Sequence, residues 1–358
     1  MPKLAERIIH AAVERIGCSI EEMLPHIPFY TEGETTTKSL VRITVMIQHD
    51  SIGDQLFVPL GVDRDGVIRN LGIFGLGTDS VGKGLVEECE LTGRKMVVAV
   101  PPPYAHVTPS FAKILVLLYD QHEFKVNDVV EVVGIYEAYD AGSTCDFHYP
   151  YGLPAIHAIS ISKNSSKVCL ADKQAYAVLR SKTHAALSQL GLDGHKGTIF
   201  MLALLSNIST RTSGLLTSLL VGYFPLNVRL SRQIQGNSWV ARLCQMYPKM
   251  ILIPLSRSFL EAEEFESRMD YETGILQQGR LQIPNGTLIL IDERPLEEGK
   301  LSEIAAKNLQ SLIHVITHQI VNYDFGGYPV PIPTNVPIIS ISHGKSILPV
   351  PYYPYDQH

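Results

Sequence analysis

Residues 40–48 alternate apolar and polar positions (Leu-Val-Arg-Ile-Thr-Val-Met-Ile-Gln), the period of a strand with one buried face. Residues 95–100, 112–119 and 129–136 repeat this texture, and turn-forming runs such as Val62-Asp63-Arg64-Asp65-Gly66 and Lys125-Val126-Asn127-Asp128 separate the segments. Four or five strands within about a hundred residues, some interrupted by glycine, predict a small closed barrel of the OB type, with a β-sandwich as the alternative. Ahead of them, residues 3–16 carry Leu4, Ile8, Ala12 and Ile16 at helical spacing and stop at Gly17. From about residue 165 the period changes. Helical patterns cover residues 171–190 and 198–207, the second read as a buried helix. Then come a strand at 226–230, a helix at 238–247, a strand at 250–255, a helix at 260–278, a strand at 287–291, a helix at 304–318 and a strand at 337–342. Strands alternating with helices imply a mostly parallel sheet covered by helices. Residues 319–333 follow a helix, turn at Gly326-Gly327 and read as a β-hairpin placed between that helix and the last strand. The chain is therefore expected to divide into an N-terminal helix and linker (1–38), an all-β domain (39–162) and an α/β domain (163–358).

The strand at 287–291 carries the candidate chemistry. Leu288-Ile289-Leu290-Ile291 is followed by Asp292-Glu293, the pattern of a buried strand that ends in a Walker B site. In such sites the first acid orients Mg²⁺ and the second positions the attacking water. A matching Walker A loop belongs between an earlier strand and helix, with a lysine on the phosphates and a hydroxyl on the metal. Residues 231–238 (Ser-Arg-Gln-Ile-Gln-Gly-Asn-Ser) occupy that place. The frame survives at Gly236 and Ser238, but Ser231 stands where the first glycine belongs and Asn237 where the lysine belongs. The change at Asn237 removes the fixed positive charge, and Ser231 stiffens a backbone that must curl round the phosphates. An accidental match, with a plain strand–turn–helix, is the alternative. Gly77-Thr78-Asp79-Ser80-Val81-Gly82-Lys83-Gly84 fits the phosphate-loop frame better, lacking only the final hydroxyl, but its flanks read as a mobile glycine-rich loop between strands.

Composition narrows the classes. The chain has 358 residues, is 45% hydrophobic and carries a net charge of −6. Two sizeable cores are within reach of that composition. The acidity argues against a mainly electrostatic nucleic-acid binder, and the cations expected on the barrel (Arg42, Lys95, Lys113) are sparse. The apolar stretch 198–224 is broken by residues 206–213 with Arg211, so it reads as buried elements and no membrane span is expected. The N-terminus has no signal-peptide-like run. Five scattered cysteines (Cys18, Cys89, Cys145, Cys169, Cys244) without a C-x-x-C pair point to a reducing compartment. Cys145/His148 and His314/His318 have ligand spacing but lack further ligands nearby, so no metal centre and no cofactor are expected.

The order of elements resembles a degenerate AAA+ ATPase subunit, in which a hairpin inserted after Walker B marks the helicase branch and the last strand occupies the sensor position. Residues 40–48, 123–134, 282–299 and 321–325, with Pro154-Ala155-Ile156-His157 and residues 342–349, are collinear and together resemble the minichromosome-maintenance (MCM) complex-binding protein family. The long acidic linker that many family members carry within the barrel region is short here, so contacts depending on it are not expected to transfer. The resemblance implies an OB-like barrel followed by an MCM-like α/β domain, with Ser231, Gly236, Asn237 and Ser238 as a degenerate Walker A and Asp292 and Glu293 as a vestigial Walker B. It implies a nuclear, non-enzymatic factor of the cell cycle and DNA replication. Such a factor binds MCM helicase subunits in place of one ring member and meets chromatin only indirectly. It supports subunit assembly and stability, late S-phase unloading and sister chromatid cohesion. The competing readings are an active P-loop NTPase using Asp292 and Glu293, and a single-stranded nucleic-acid-binding barrel.

Overall fold

The structure is a computed structural model, and it describes residues 20–50, 54–57, 60–63, 68–70, 86–89, 92–104, 111–119, 124–138, 152–163, 183, 185–192, 194–213, 218–230 and 236–353. The readings at 3–16, 77–84, Ser231 and Cys145/His148, and most of that at 171–190, lie outside these residues; 185–189 is helical. The chain is mixed α/β, with strands predominating, in several sheets. It packs as two compact units: Met1–Pro102, Pro109–Ser165 and Tyr271–Ile275 form one, and Pro103–Thr108, Ser166–Asp270 and Leu276–His358 the other.

Among the described residues of the first unit, a short helix α1 (Ile20–Met23) precedes nine strands: β1 (Leu40–His49), β2 (Asp54–Phe57), β3 (Leu60–Asp63), β4 (Ile68–Asn70), β5 (Val86–Cys89), β6 (Thr92–Val100), β7 (Ile114–Leu118), β8 (Val129–Glu137) and β9 (Ala155–Lys163). The main sheet runs β1-β8-β9-β7-β6-β2, and β1 also pairs with β6, so five strands return on themselves as a ring. Within the ring only β7 and β9 run parallel. Strands β4, β3 and β5 form a small separate sheet. The alternation read in the sequence has a direct outcome: Val41, Ile43, Val45 and Ile47 of β1 meet Val97, Ile114, Val116, Val130 and Val132 in one core. Burying each such side chain stabilises the fold by about 1.5–3 kcal/mol relative to exposure. Strand β8 needs a glycine. Its register against β9 shifts between Val133 and Gly134, and a Cβ at Gly134 would lie 2.3 Å from the His157 carbonyl oxygen.

The second unit contains helices α2 (His195–Leu204), α3 (Gly236–Met246), α4 (Arg257–Ala262) and α5 (Glu303–His318). Its strands are β10 (Thr210–Ser213), β11 (Ser218–Val221), β12 (Leu226–Arg229), β13 (Met250–Pro254), β14 (Ser267–Asp270), β15 (Ile275–Gln277), β16 (Leu288–Asp292), β17 (Ile320–Asp324), β18 (Pro329–Pro333), β19 (Ile338–Ser342) and β20 (Tyr352–Tyr353). The principal sheet has the order β13-β16-β19-β12-β20 and is parallel at every join. All residues of β16 and β19 are buried, which is why β16 reads as an apolar run from Leu288 to Ile291 rather than an alternating strand, while β19 places Ser340 and Ser342 between and after its isoleucines, both hydrogen-bonded to Asn227. Trp239 and Leu243 of α3 pack with Leu226, Leu288, Leu290 and Ile339 in the core of this unit. Helix α5 starts where the Ser302 hydroxyl accepts the Ala305 N–H. It ends at Gln319, held in the left-handed region at φ 53°; that side chain accepts the Val336 N–H at 2.8 Å, which anchors an unusual conformation for a non-glycine. The expected hairpin forms as β17 and β18, with Gly326 and Gly327 at positive φ in the turn. It belongs to a second sheet, β15-β14-β17-β18, in which β14 runs parallel to β17.

Two expectations need correction. The helix foreseen over 260–278 is confined to α4, and the chain then forms β14 and β15. Glu263 leaves the helix in an extended conformation, Phe265 and Ser267 are fully buried two residues apart, and Gly274 turns the chain at φ 69°. Pairing to β17 outweighs the helix-forming composition of this stretch. The helix read as buried at 198–207 is α2, shifted by three residues toward the N-terminus. Phe200, Ala203 and Leu204 are buried while Leu202 and Leu205 face outward, so it lines one side of the core.

Candidate functional site at the carboxyl ends of the parallel strands

Strand β19 lies between β16 and β12, and its Ile341 is level with Asp292 on one side and Val228 on the other. Two strand spacings separate those flanking residues, roughly 10 Å. Asp292 and Glu293 therefore end their strand at the same edge as the strand that leads toward residues 231–238. Helix α3 begins at Gly236, and Asn237 and Ser238 stand exposed in its first turn.

Both acids are buried and held by groups of the protein itself. Asp292 receives a two-pronged guanidinium: Arg294 Nε donates to Oδ1 at 2.8 Å and Nη2 to Oδ2 at 2.6 Å. The Arg294 backbone N–H adds a third bond at 3.1 Å. Both side chains are nearly inaccessible, 13% exposed for the arginine and 11% for the aspartate. Glu293 accepts the Ser346 hydroxyl at 2.6 Å and the Ile347 N–H at 3.0 Å, with a longer bond of 3.4 Å from the Asn227 amide. Asn227 is buried in β12; its amide donates to Ser340 Oγ at 2.7 Å, and its carbonyl accepts the Ser342 hydroxyl at 3.2 Å. The chain after β19 is fastened to the end of β12 as well: Leu230 N–H donates to the Ser342 carbonyl, and His343 Nδ1 lies 3.1 Å from the Leu230 carbonyl. Charge-assisted bonds of this kind, sheltered from water, lock the acids in place.

The structure thus brings Asp292, Glu293 and the β12 end to one edge, and the groups that grip the acids are not the ones the motif named. Arg294, Asn227, Ser340, Ser342 and Ser346 escaped the sequence reading. Asn227 had a signal, a polar residue within the apolar run Leu-Asn-Val, and Arg294 sits two residues beyond the aspartate; Ser346 had none. On α5 the His314 and His318 rings are 4.7 Å apart, with His314 Nδ1 turned to the Ile320 carbonyl. No group of three or more potential metal ligands occurs among the described residues. No helix among them is long and apolar enough to cross a membrane.

A second buried polar chain lies in the first unit. Arg94 Nη1 donates to the Tyr119 hydroxyl at 3.1 Å, that hydroxyl lies 2.5 Å from His157 Nδ1, and His157 Nε2 lies 2.7 Å from Glu137 Oε2. A neutral imidazole protonated at Nε2 satisfies every member, donating to Glu137 and accepting from Tyr119. Burial pushes the His157 pKa down, against the upward pull of Glu137.

Fold and site define a two-unit α/β protein whose parallel sheet ends in an internally bound carboxylate pair. The chain belongs to the family described as the Mini-chromosome maintenance replisome factor, which it matches over residues 87–353. It is 28% identical over 263 residues to the Mini-chromosome maintenance complex-binding protein of Arabidopsis thaliana, covering 65% of this chain and 44% of that one. It is 27% identical over 286 residues to the protein of the same name from Homo sapiens, covering 66% and 43%. To that from Dictyostelium discoideum it is 33% identical over 153 residues, covering 40% and 20%. The chain spans less than half the length of these relatives.

Proposed function

We propose that this chain is a non-enzymatic binding partner of MCM helicase subunits that acts in DNA replication. The observation that carries the reading is family membership over most of the chain, with relatives named for binding the MCM complex. The geometry of the acids supports it from another direction. A Walker B pair must leave its oxygens to Mg²⁺ and water, whereas Asp292 is engaged by Arg294 and Glu293 by Ser346 and Ile347. With Asn237 in place of the phosphate lysine, the second unit reads as an AAA+-like subunit that keeps its shape without an ATP cycle. Support for that shape comes from the parallel order β13-β16-β19-β12-β20 and from the hairpin between α5 and β19. The first unit reads as an OB-type barrel, supported by its five-strand ring with a single parallel pair. Boundaries near residues 38 and 162 divide the chain accordingly. Such a subunit docks beside MCM neighbours as a placeholder in the nucleus, serving their assembly and stability and their unloading late in S phase.

The test is capture of purified MCM subunits by the full chain, with and without ATP, beside calorimetric titration of the chain with Mg·ATP. Capture independent of ATP and no heat from the nucleotide are the expected results. Failure to capture any MCM subunit would end the reading, and micromolar Mg·ATP binding would favour the NTPase instead.

A further inference from the structure

We propose that the outer edge of β11 is a docking edge for an extended, uncharged, apolar segment of a partner protein, which joins the β10–β11 ribbon as a third strand. This rests on the reading of the chain as an MCM-binding protein and names the chemistry of one contact.

The ribbon pairs Thr212 with Leu219 and Thr210 with Val221, and among the described residues its sheet contains these two strands alone. The Val221 carbonyl accepts the Ser209 N–H at 3.0 Å, so it points back toward the β10 side. Successive backbone groups of an antiparallel strand alternate in direction. The N–H and C=O of Leu220, and those of Ser218, therefore point away from β10, along the open edge. Beside that edge Leu219 is 62% and Val221 44% exposed, on one face of the strand. At its end Phe224 is also exposed, its N–H held at 2.8 Å by Ser206, the residue after exposed Leu205. None of these side chains is charged. A two-stranded ribbon is marginal alone, and an apolar open edge is a hazard that proteins normally blunt.

The same unit blunts its other hairpin. Tyr328 C=O accepts the Phe325 N–H, and Thr334 N–H donates to the Gln319 carbonyl, so the even-numbered positions of β18 face β17. Pro329, Pro331 and Pro333 therefore turn their nitrogens outward, where a proline has no N–H to offer. That edge refuses an added strand. The β11 edge has no such device and carries leucine and valine instead.

The size of the edge selects the occupant. Four residues span about 13 Å. A two-fold pairing of β11 with β11 from a second copy would bury far less than the roughly 1,200 Å² of a stable interface between folded chains. A single extended segment is satisfied by such an edge, its main chain supplying affinity and its alternate side chains selectivity. Lysine or glutamate facing Leu219 and Val221 would be buried without a partner, so the segment is apolar on that face.

The experiment uses the full chain with purified MCM subunits as the probe. It compares the wild type, the double variant Leu219→Lys/Val221→Lys and the control Val330→Lys on the blunted hairpin. Thermal melts by circular dichroism establish that each is folded, and both altered sites are exposed. Wild type and Val330→Lys should be captured equally, with capture of the double variant weakened about tenfold or more, as befits residues at the centre of a contact. In the wild-type complex, amide exchange at Leu220 should slow. If the double variant fails to fold, exchange at Leu220 in the wild type decides by itself. Equal capture of the double variant, or unchanged exchange at Leu220 in the complex, would overturn the proposal. So would protection of Leu220 that rises with chain concentration alone, since that places a second copy on the edge. If even the wild type captures no MCM subunit, the functional reading falls and takes this assignment with it.

Discussion

Asp292 and Arg294 should behave as one unit, and their coupling is measurable. The pair makes three short bonds in a place where both side chains are almost wholly shielded. Asp292→Ala leaves the guanidinium buried without its counter-ion, and breaking a buried pair in this way costs about 3–5 kcal/mol. Arg294→Ala leaves the carboxylate with a single backbone N–H and should cost a similar amount, about 2–4 kcal/mol by the same reasoning. The double variant leaves neither charge stranded, so it should be more stable than the sum of the two predicts, by about 2–3 kcal/mol. Urea unfolding followed by tryptophan fluorescence measures this. Trp239 is the only tryptophan in the chain and is buried in the same core as Leu288 and Leu290. For Asp292→Ala the midpoint should fall by more than about 1 M, given usual slopes of about 1–3 kcal/mol/M. Additivity within about 0.5 kcal/mol, or an Asp292→Ala midpoint equal to wild type, would show that the aspartate is not held by Arg294. The account of why the acids are closed to metal would then fail.

Two further outcomes follow from the first unit. Gly134→Ala places a methyl group against the His157 carbonyl, a backbone atom with no room to move; overpacking of this kind should cost about 1–3 kcal/mol in thermal or urea unfolding, and a wild-type midpoint would refute the close approach. His157 has its pKa lowered by burial. The unfolded chain therefore takes up this proton first as pH falls below about 6.5, so the contribution is fully present above that pH and is lost below it. Replacing His157 with Gln should flatten the acid-side decline of the melting temperature, measured by circular dichroism. An identical decline in His157→Gln would assign it elsewhere, for instance to His49, which burial pushes in the same direction.

The sequence by itself determined the elements whose burial is written in their own period. Strand β1 alternates from Leu40 to Val45 because one face there meets the core of the first unit. Strand β16 runs apolar as far as Asp292 because both its faces are covered, and α5 shows in the helical pattern and length of its stretch. The carboxylates at the end of β16 were legible for the same reason, as two acids closing an apolar run. Tertiary structure alone decided the rest. The stretch after α4 has a helical composition, yet it becomes β14 because β17 offers a parallel edge, and no local pattern encodes a partner more than fifty residues away. The state of the acids was decided in the same way. Glu293 is held by Asn227 and by Ser346 and Ile347, at sequence separations of 66, 53 and 54. Local periodicity reports which side of an element meets the core, because that depends on neighbours a few residues apart. Which donors reach a buried charge depends on how distant strands lie side by side, and only the folded chain sets that.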